Sequence, residues 1–281
     1  MKIENIKKIV SKLSLLLKIM FLNAKENKMK VLLVCALFIS YFTLKKIINY
    51  VFFDNQSFYE ANKDSFIAEN VIVLHGITKT NRIMKHLSKS LSKYGFNVYN
   101  ITYPSTEYTI QELAEFVYNK AYELGLNDRK KTHFVGHSMG GLVIRHFIYK
   151  FKPENMGRVV MIGTPNHGSQ LTDKFKDWWL YKKDFGTKAG RQIGTDMYGL
   201  KNAFGKVDYE LGIIAGNKNG NLYFSKILPN EDDGMVTVES TKLEGMKEHI
   251  ILKLKHNQLV SNKKSIRQVI YFLRNGYFEK K

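Results

Sequence analysis

The sequence predicts an α/β protein with a mostly parallel central sheet and helices on both faces. From residue 55 onward, segments with the pattern of strands alternate with segments that have the pattern of helices. The central strand segments, such as residues 71–74 and 158–162, are nearly all apolar, as expected for strands that are buried on both faces. A glycine-rich turn at residues 136–140 joins one such strand to a helix. These three observations together are typical of parallel strands connected by crossover helices.

The predicted elements begin with a buried strand and end with a helix. Glycines at positions 95 and 125 end two of the helices, and a proline at position 104 closes a strand. In chain order the elements are a strand at 71–74, a helix at 83–94, a strand at 96–103, a helix at 110–124, a strand at 131–135, a helix to about 151, strands at 158–162, 209–215 and 250–255, and a helix at 265–275.

The glycine-rich turn, GHSMG at residues 136–140, has the pattern G-x-S-x-G. A serine hydroxyl is a weak nucleophile unless a base and an oxyanion hole lie beside it, and a tight turn from strand to helix presents the serine in that way. Glycines two positions before and after the serine relieve the crowding in such a turn. An ordinary glycine-rich turn is the alternative. The preceding strand, the following helix and the additional Gly141 favour Ser138 as a nucleophile.

A base for this serine is predicted from chain order. In proteins that use such a turn, an acid and then a histidine follow the serine. Of the eight histidines, only His249 and His256 lie far enough downstream. His249 would enter the last predicted strand at its amino end, whereas His256 follows that strand. Catalytic groups of a parallel sheet gather at the carboxyl ends of its strands, so we predict His256 as the base.

An acid is expected between the strand at 209–215 and His256. A buried carboxylate that accepts from the imidazole N–H fixes the tautomer and stabilises the imidazolium. Asp233 lies at a turn just before a new apolar segment and is predicted to have this role. Asp232 is the alternative, because the sequence does not show which of the two adjacent side chains points inward. The candidates considered are Glu231, Asp232, Asp233, Glu239, Glu244 and Glu248.

An oxyanion hole is predicted from two backbone N–H groups. His75 and Gly76 follow the first buried strand directly. In acyl-transfer enzymes the loop after this strand supplies one donor, which here is the N–H of Ile77, and the residue after the nucleophile, Met139, supplies the second. His75 itself is expected to make structural hydrogen bonds and not to act as the base.

These motifs resemble those of the α/β-hydrolase superfamily, and within it the bacterial lipase/esterase group, which includes triacylglycerol lipases. The resemblance covers roughly residues 70–278. It rests on VIVLHG (71–76), TYPST (102–106), THFVGHSMGGLVIRH (132–146), VVMIGTPNHGS (159–169), LGIIAGN (211–217), DDGMVTVEST (232–241), KHNQLV (255–260) and a final helix that ends in FLRNGYF. It implies the α/β-hydrolase fold with a small cap or lid insertion.

The resemblance also implies an activity. Ser138, Asp233 and His256 would form a catalytic triad that cleaves carboxylic ester bonds through an acyl-enzyme, and acyl lipids are the expected substrates. No metal or organic cofactor is expected. Many secreted lipases of this group have a disulfide or a calcium site near the acid, but Cys35 is the only cysteine here and no calcium site is evident. The alternatives are an acyltransferase with the same triad and a non-catalytic, membrane-tethered binding protein.

A cap or lid is expected at about residues 171–207, where the periodicity fails. Aromatic side chains and lysines are mixed in this segment, and the family inserts its cap at this point. Two interpretations stay open: a segment that contacts a lipid interface, and a small cap that packs its aromatic side chains on the domain.

Residues 1–54 are predicted to be a basic segment ahead of a domain at 55–281, with a membrane anchor at 31–53. The uncharged run at 31–44 reaches about 21 Å as a helix, less than the roughly 30 Å of a bilayer core. Extension to residue 53 is long enough if Lys45 and Lys46 reach the bilayer surface. A cleaved signal peptide and a buried or interfacial helix are the alternatives, and the lack of a small-residue cleavage site disfavours the first of them.

The charge distribution predicts a location and limits the partners. A lysine excess before the anchor places the N-terminus in the cytoplasm and the catalytic domain outside, although Lys45 and Lys46 weaken this orientation. The formal net charge is +19, but zinc-finger spacing, an RNP-type motif and a recognition helix are missing from the sequence. We therefore expect no nucleic-acid partner, and an anionic membrane surface is favoured.

Overall fold

The computed structural model describes residues 58–61, 68–126, 129–200, 203–219 and 222–280. The anchor predicted at residues 31–53 lies outside the described residues. Within the described part of the chain, no helix is both long enough and apolar enough to cross a bilayer.

A mixed sheet forms the centre of the domain. Its strands have the spatial order β1-β3-β2-β4-β5-β6-β7, and every neighbouring pair is parallel except β1 with β3. Within the described ranges the seven strands are β1 (Phe58–Tyr59), β2 (Glu69–Leu74), β3 (Phe96–Ile101), β4 (Thr132–His137), β5 (Met156–Ile162), β6 (Leu211–Gly216) and β7 (Glu248–Leu252). The strand order reverses around β2, and open α/β sheets place their binding crevices at such a point, at the carboxyl ends of the strands.

Helices cover both faces of this sheet. In chain order the described helices are α1 (Lys85–Lys93), α2 (Ile110–Glu123), α3 (Met139–Phe151), α4 (Gln170–Phe175), α5 (Trp179–Phe185), α6 (Ala189–Gln192), α7 (Leu222–Ser225), α8 (Val238–Thr241) and α9 (Lys263–Asn275), with 3-10 turns at Asn81–Met84 and His256–Gln258. Helices α4, α5 and α6 lie between β5 and β6 in the chain, where the cap was predicted.

The helix boundaries follow local chemistry. At the start of α2, the Thr109 side chain accepts from the N–H of Glu112, and the Glu112 side chain accepts in return from the N–H of Thr109. This reciprocal cap satisfies two donors that a helix start leaves unpaired. The last helix, α9, ends at Gly276, which has a left-handed backbone with φ 78°. Glycine adopts this conformation without steric cost.

Two hydrophobic cores flank the sheet because side chains alternate along each strand. In β2, Ile72 and Leu74 belong to the core beneath α2 and α3, whereas Val71 and Val73 belong to the core beneath α1 and α9. All four side chains are fully buried. The predicted α/β class, with a mostly parallel sheet between two helical layers, is confirmed.

The differences from the predicted elements are small. The antiparallel β1 was not predicted, because two residues are too few to show a periodic pattern. The last strand ends at Leu252, three residues before the predicted end. The helix predicted at 83–94 begins as a 3-10 turn and continues as α1.

Candidate active site

Ser138 occupies the tight turn between β4 and α3. Its backbone has φ 55° and ψ −129°, a conformation that residues with a side chain rarely adopt. The N–H of Ser138 donates to the carbonyl oxygen of Ile162 at 2.9 Å, which ties the turn to the end of β5. Strained residues of this kind cluster at functional sites and persist where the surrounding structure fixes them.

The glycines around Ser138 are there because the turn has no room for side chains. A Cβ atom at Gly136 would lie 2.6 Å from the backbone nitrogen of Gly141, and one at Gly140 would lie 2.7 Å from the carbonyl oxygens of Leu74 and His75. A Cβ atom at Gly141 would lie 2.1 Å from the hydroxyl oxygen of Thr164. All three distances are far below ordinary van der Waals contact. The G-x-S-x-G-G sequence is therefore a steric requirement of this turn.

His256 and Asp233 form a buried pair beyond the carboxyl end of the sheet. The Nδ1 atom of His256 lies 2.7 Å from Oδ2 of Asp233, and the two side chains are 10% and 1% exposed. Because a carboxylate only accepts hydrogen bonds, Nδ1 carries the hydrogen, which leaves Nε2 available as a base. The N–H of His256 also donates to the carbonyl oxygen of Asp233 at 2.9 Å.

The two adjacent aspartates have different surroundings. The Oδ1 atom of Asp233 accepts from the N–H groups of Met235 and Val236, at 3.0 and 2.9 Å, so its carboxylate is held on both sides. Asp232 is also buried, but its Oδ1 atom accepts from the N–H of Gly234 at 2.7 Å. The carboxylate that contacts the His256 ring is therefore that of Asp233.

His137 brings the serine turn and the His256 loop into contact. Its ring lies 4.6 Å from the His256 ring, centroid to centroid, and its Nε2–H donates to the His256 carbonyl oxygen at 3.2 Å. Burial, with a smaller contribution from His256, holds the pKa of His137 well below its usual range, so this ring is neutral. In the described structure no hydrogen bond joins the Ser138 hydroxyl to His256. Such contacts are often long before substrate binds.

Gly163 lies where the loops that carry Asp233 and His256 meet the end of β5. It follows β5 directly and has φ 56°. A Cβ atom at Gly163 would lie 3.2 Å from both Oδ2 of Asp233 and Nδ1 of His256. The carboxyl ends of β4, β5, β6 and β7 therefore bring Ser138, Asp233 and His256 to one edge of the sheet.

His75 holds the loop that was predicted to supply one oxyanion donor. Its Nδ1–H donates to the carbonyl oxygen of Gly76 at 2.8 Å, and its Nε2 accepts from the N–H of Tyr103 at 3.3 Å. The Tyr103 hydroxyl donates to the carbonyl oxygen of His75, and the two rings stack at 4.2 Å. Burial lowers the pKa of His75 to about 4, so the ring is neutral and both nitrogens are paired. These bonds suit a structural residue.

The N–H groups of Ile77 and Met139 have no hydrogen-bond acceptor among the described residues. Met139 is the first residue of α3, where helical N–H groups are unpaired and the helix dipole is positive. A Cβ atom at Gly76 would lie 2.9 Å from Cβ of Ser138, so the loop of Ile77 touches the serine turn. Their role as oxyanion donors stays a prediction.

Several residues of this edge were not singled out from the sequence. His137, Gly163, Tyr103 and Ser105 all hold loops of the site, and Ser105 accepts from the N–H of Thr78 at 3.1 Å. The sequence could have pointed to these residues by their position, because each of them lies close to the carboxyl end of a strand. Within the described ranges, no three His, Cys, Asp or Glu side chains are grouped so that they could hold a metal ion.

A family model described as alpha/beta hydrolase fold matches residues 69–231, which is more than half of the chain. The chain belongs to the α/β-hydrolase family. The matched residues of this α/β hydrolase include the serine turn, whereas Asp233 and His256 lie beyond the end of the match.

Individual relatives of this α/β hydrolase are distant. A triacylglycerol lipase of Pseudomonas fragi is 25% identical over 114 residues, and the match spans 38% of this chain and only 38% of the lipase. The mature form of a Bacillus licheniformis lipase has a TM-score of 0.62 at 19% identity and covers 79% of this chain and 98% of that one. Phospholipase PlaB of Legionella pneumophila has a TM-score of 0.60 at 15% identity, over 75% and 61% of the two chains. These two structures share the fold.

Proposed function

We propose that this α/β hydrolase cleaves carboxylic esters, with Ser138 as nucleophile, His256 as base and Asp233 as the acid that orients His256. The observation that supports this most is that a strained serine lies at the same edge of the sheet as a buried imidazole whose Nδ1 is held by a carboxylate. Nucleophile, base and orienting acid are the parts that acyl transfer requires.

The geometry suggests how each group would act. The Ser138 hydroxyl oxygen attacks the acyl carbon while Nε2 of His256 removes its proton, and the N–H groups of Ile77 and Met139 donate to the oxyanion. His256 then returns the proton to the leaving alcohol, which produces an acyl-enzyme. Water, activated by the same nitrogen, releases the acid. Asp233 accepts from Nδ1–H throughout and stabilises the imidazolium that forms in both steps.

Acyl lipids are the substrate class that we propose. Three proteins to which this chain is similar are named as a triacylglycerol lipase, a lipase and a phospholipase. The α4–α6 insertion next to the site exposes several large apolar side chains, in keeping with a lipid-handling enzyme.

Covalent labelling tests the proposal. A fluorophosphonate probe mimics the acyl group, and we expect it to modify the full-length protein at Ser138, because among the serines of the described ranges we assign only this one a base and oxyanion donors. Tryptic mapping by mass spectrometry locates the adduct. Heat-denatured protein is the control, since the label depends on the folded site. A folded protein that stays unlabelled, or that is labelled at another serine, would contradict the proposal.

We also propose that residues 31–53 anchor the protein in a membrane with the hydrolase domain on the extracytoplasmic side. The support is the uncharged run at 31–44 and the lysine excess before it. The protein is then expected in the membrane fraction after an alkaline carbonate wash, and external protease should digest the domain in intact spheroplasts. Recovery in the wash would contradict an anchor, and full protection from protease would contradict the orientation.

A further inference from the structure

Three consecutive large apolar side chains of the cap are exposed. Trp178, Trp179 and Leu180 are 53%, 69% and 51% exposed, and we refer to these three residues as the cap patch. No residue of α5, which begins at Trp179, is buried. Scattered apolar residues are ordinary on protein surfaces, but a contiguous patch that contains two tryptophans marks an interaction surface.

The cap patch is held in place by the opposite face of the same helix. Tyr181 and Phe185 stack at 4.5 Å with an interplanar angle of 9° on the side that faces the domain. The Tyr181 hydroxyl donates to the carbonyl oxygen of Gly190 at 2.9 Å. The ring of Trp178 packs edge-on against Phe175 at 4.9 Å. Because these contacts occupy the inner side of α5, the cap patch is left on the outer side, where each of its side chains is more than half exposed.

Two lysines lie beside the cap patch. Residues 174–188 contain five lysines and two aspartates, and two of these lysines, Lys176 and Lys188, contact the carboxylates of Asp196 and Glu112. Lys182 and Lys183 follow the patch on α5, and the Lys183 ammonium lies 5.9 Å from the centre of the Trp179 ring. Lys182 has only a long contact of 3.8 Å with Asp177, whose side chain is 74% exposed. An apolar centre with a cationic rim is complementary to a surface with negative charge outside and hydrocarbon beneath.

We propose that the cap patch docks on an anionic lipid surface. Tryptophan rings favour the headgroup region of a bilayer because they combine an apolar body with one polar N–H. Lysines beside them gain from the negative potential of anionic lipids. The two exposed tryptophans beside the lysines favour a bilayer over an acidic protein surface, because tryptophan is enriched at the membrane–water interface.

The end of α5 that follows the cap patch contacts a loop near the candidate active site. Gly186, which ends α5, packs on the carbonyl oxygen of Thr106. The neighbouring Ser105 holds the loop of Thr78 and Ile77. Docking through the cap patch would therefore bring the serine-bearing edge of the sheet close to the lipid. The docking does not depend on ester hydrolysis, so it can be tested apart from catalysis.

The chain offers an internal probe, since Trp178 and Trp179 are its only two tryptophans. Full-length protein would be mixed with vesicles of ether-linked lipids, which have no carboxylic ester to cleave. One set contains phosphatidylcholine alone, and the other contains equal parts of phosphatidylcholine and phosphatidylglycerol. With the anionic set we expect the tryptophan emission to shift to shorter wavelength. Quenching of this emission by iodide should fall, and brominated lipids in the vesicles should quench the emission. Raised salt should reverse these changes because it screens exposed charges.

Matched charge variants test whether docking depends on the lysines beside the cap patch or only on the net positive charge of the protein. Lys182→Gln with Lys183→Gln should lose the emission shift, whereas Lys89→Gln with Lys93→Gln, which removes two exposed charges from α1, should keep it. Both pairs should hydrolyse a small soluble ester as the unmodified protein does. Three results would each overturn the proposal. The emission could stay unshifted with anionic vesicles, or shift equally with neutral vesicles. The tryptophans could also prove to be shielded already by a second copy of the chain.

Discussion

Replacing Ser138 with alanine is expected to lower kcat/KM for a soluble ester by about 10⁴- to 10⁶-fold. Alanine removes the attacking oxygen and leaves the backbone, the flanking glycines and the Asp233–His256 pair in place. The loss should fall in kcat, because the hydroxyl oxygen bonds to the substrate only during the reaction. Residual turnover is expected from the oxyanion donors and substrate binding alone. The measurement is steady-state hydrolysis of a chromogenic ester by the full-length protein.

The control for this change is a measurement that the variant is still folded. Ser138→Ala should have the circular dichroism and thermal midpoint of the unmodified protein, because alanine tolerates φ 55° about as poorly as serine does. Ser138→Gly should be equally inactive but more stable, since glycine relieves backbone strain of about 1–3 kcal/mol. Ser261→Ala, at an exposed serine, should be fully active. Retained turnover in folded Ser138→Ala would remove this serine from the mechanism.

Asp233→Asn should reduce kcat by about 10³- to 10⁴-fold, the second-largest effect that we expect. The amide oxygen can still accept from the N–H groups of Met235 and Val236, so the loop should keep its shape. The amide nitrogen, however, would face Nδ1 of His256 as a donor. The ring would then carry its hydrogen on Nε2, where the base must be free. The measurement is single-turnover acylation, which isolates the step that needs this tautomer.

Asp232→Asn is the matched control, because it makes the same chemical change at the adjacent buried aspartate. Its Oδ1 atom accepts from the N–H of Gly234, and asparagine can accept in the same way. We expect turnover within about tenfold of the unmodified protein, with at most a stability loss of about 1–3 kcal/mol. Equal losses in the two variants would mean that the turn as a whole is needed, and a larger loss in Asp232→Asn would move the acid to that position.

The placement of the candidate residues could be predicted because strand ends are visible in the sequence. Ser138, Asp233 and His256 each follow an apolar strand or a recognisable turn, and parallel strands bring their carboxyl ends to one edge. The choice between Asp232 and Asp233 could not be made in this way. It depends on the turn that follows, in which Gly234 has φ 94°, and adjacent side chains in a turn are oriented by backbone angles that residue order does not reveal.

The run Gly163 to Ser169 had no explanation from the sequence, and the structure supplies one. Asn166 accepts from Arg145 of α3 at 3.3 Å and donates to the carbonyl oxygen of Thr241 at 2.8 Å. A Cβ atom at Gly168 would lie 2.2 Å from the carbonyl oxygen of Gly194 in the cap. The Ser169 hydroxyl donates to the carbonyl oxygen of Met235. The run therefore connects α3, the segment around Gly194 and the loop of Asp233 and Met235, through contacts between residues that are distant in sequence.

The loss of periodicity predicted a cap at about residues 171–207, but it did not distinguish the two faces of the helices there. Short helices of four to seven residues complete too few turns for a hydrophobic stripe to appear. Tyr181 and Phe185 face inward and Trp179 faces outward, although all three are aromatic residues among lysines. Burial in such a segment is decided by the surface beneath it and not by the local pattern.

The distance along the chain between the parts of the site has a consequence for how the protein acquires activity. His137 and His256, whose rings touch, are 119 positions apart. Closing such a loop costs entropy that is recovered only when β5, β6 and β7 have joined the sheet. During refolding, ester turnover should thus return after the secondary structure has formed, as a late event. A chain that ended at residue 231, where the family match ends, would keep the serine turn and lack both the proposed acid, Asp233, and the proposed base, His256.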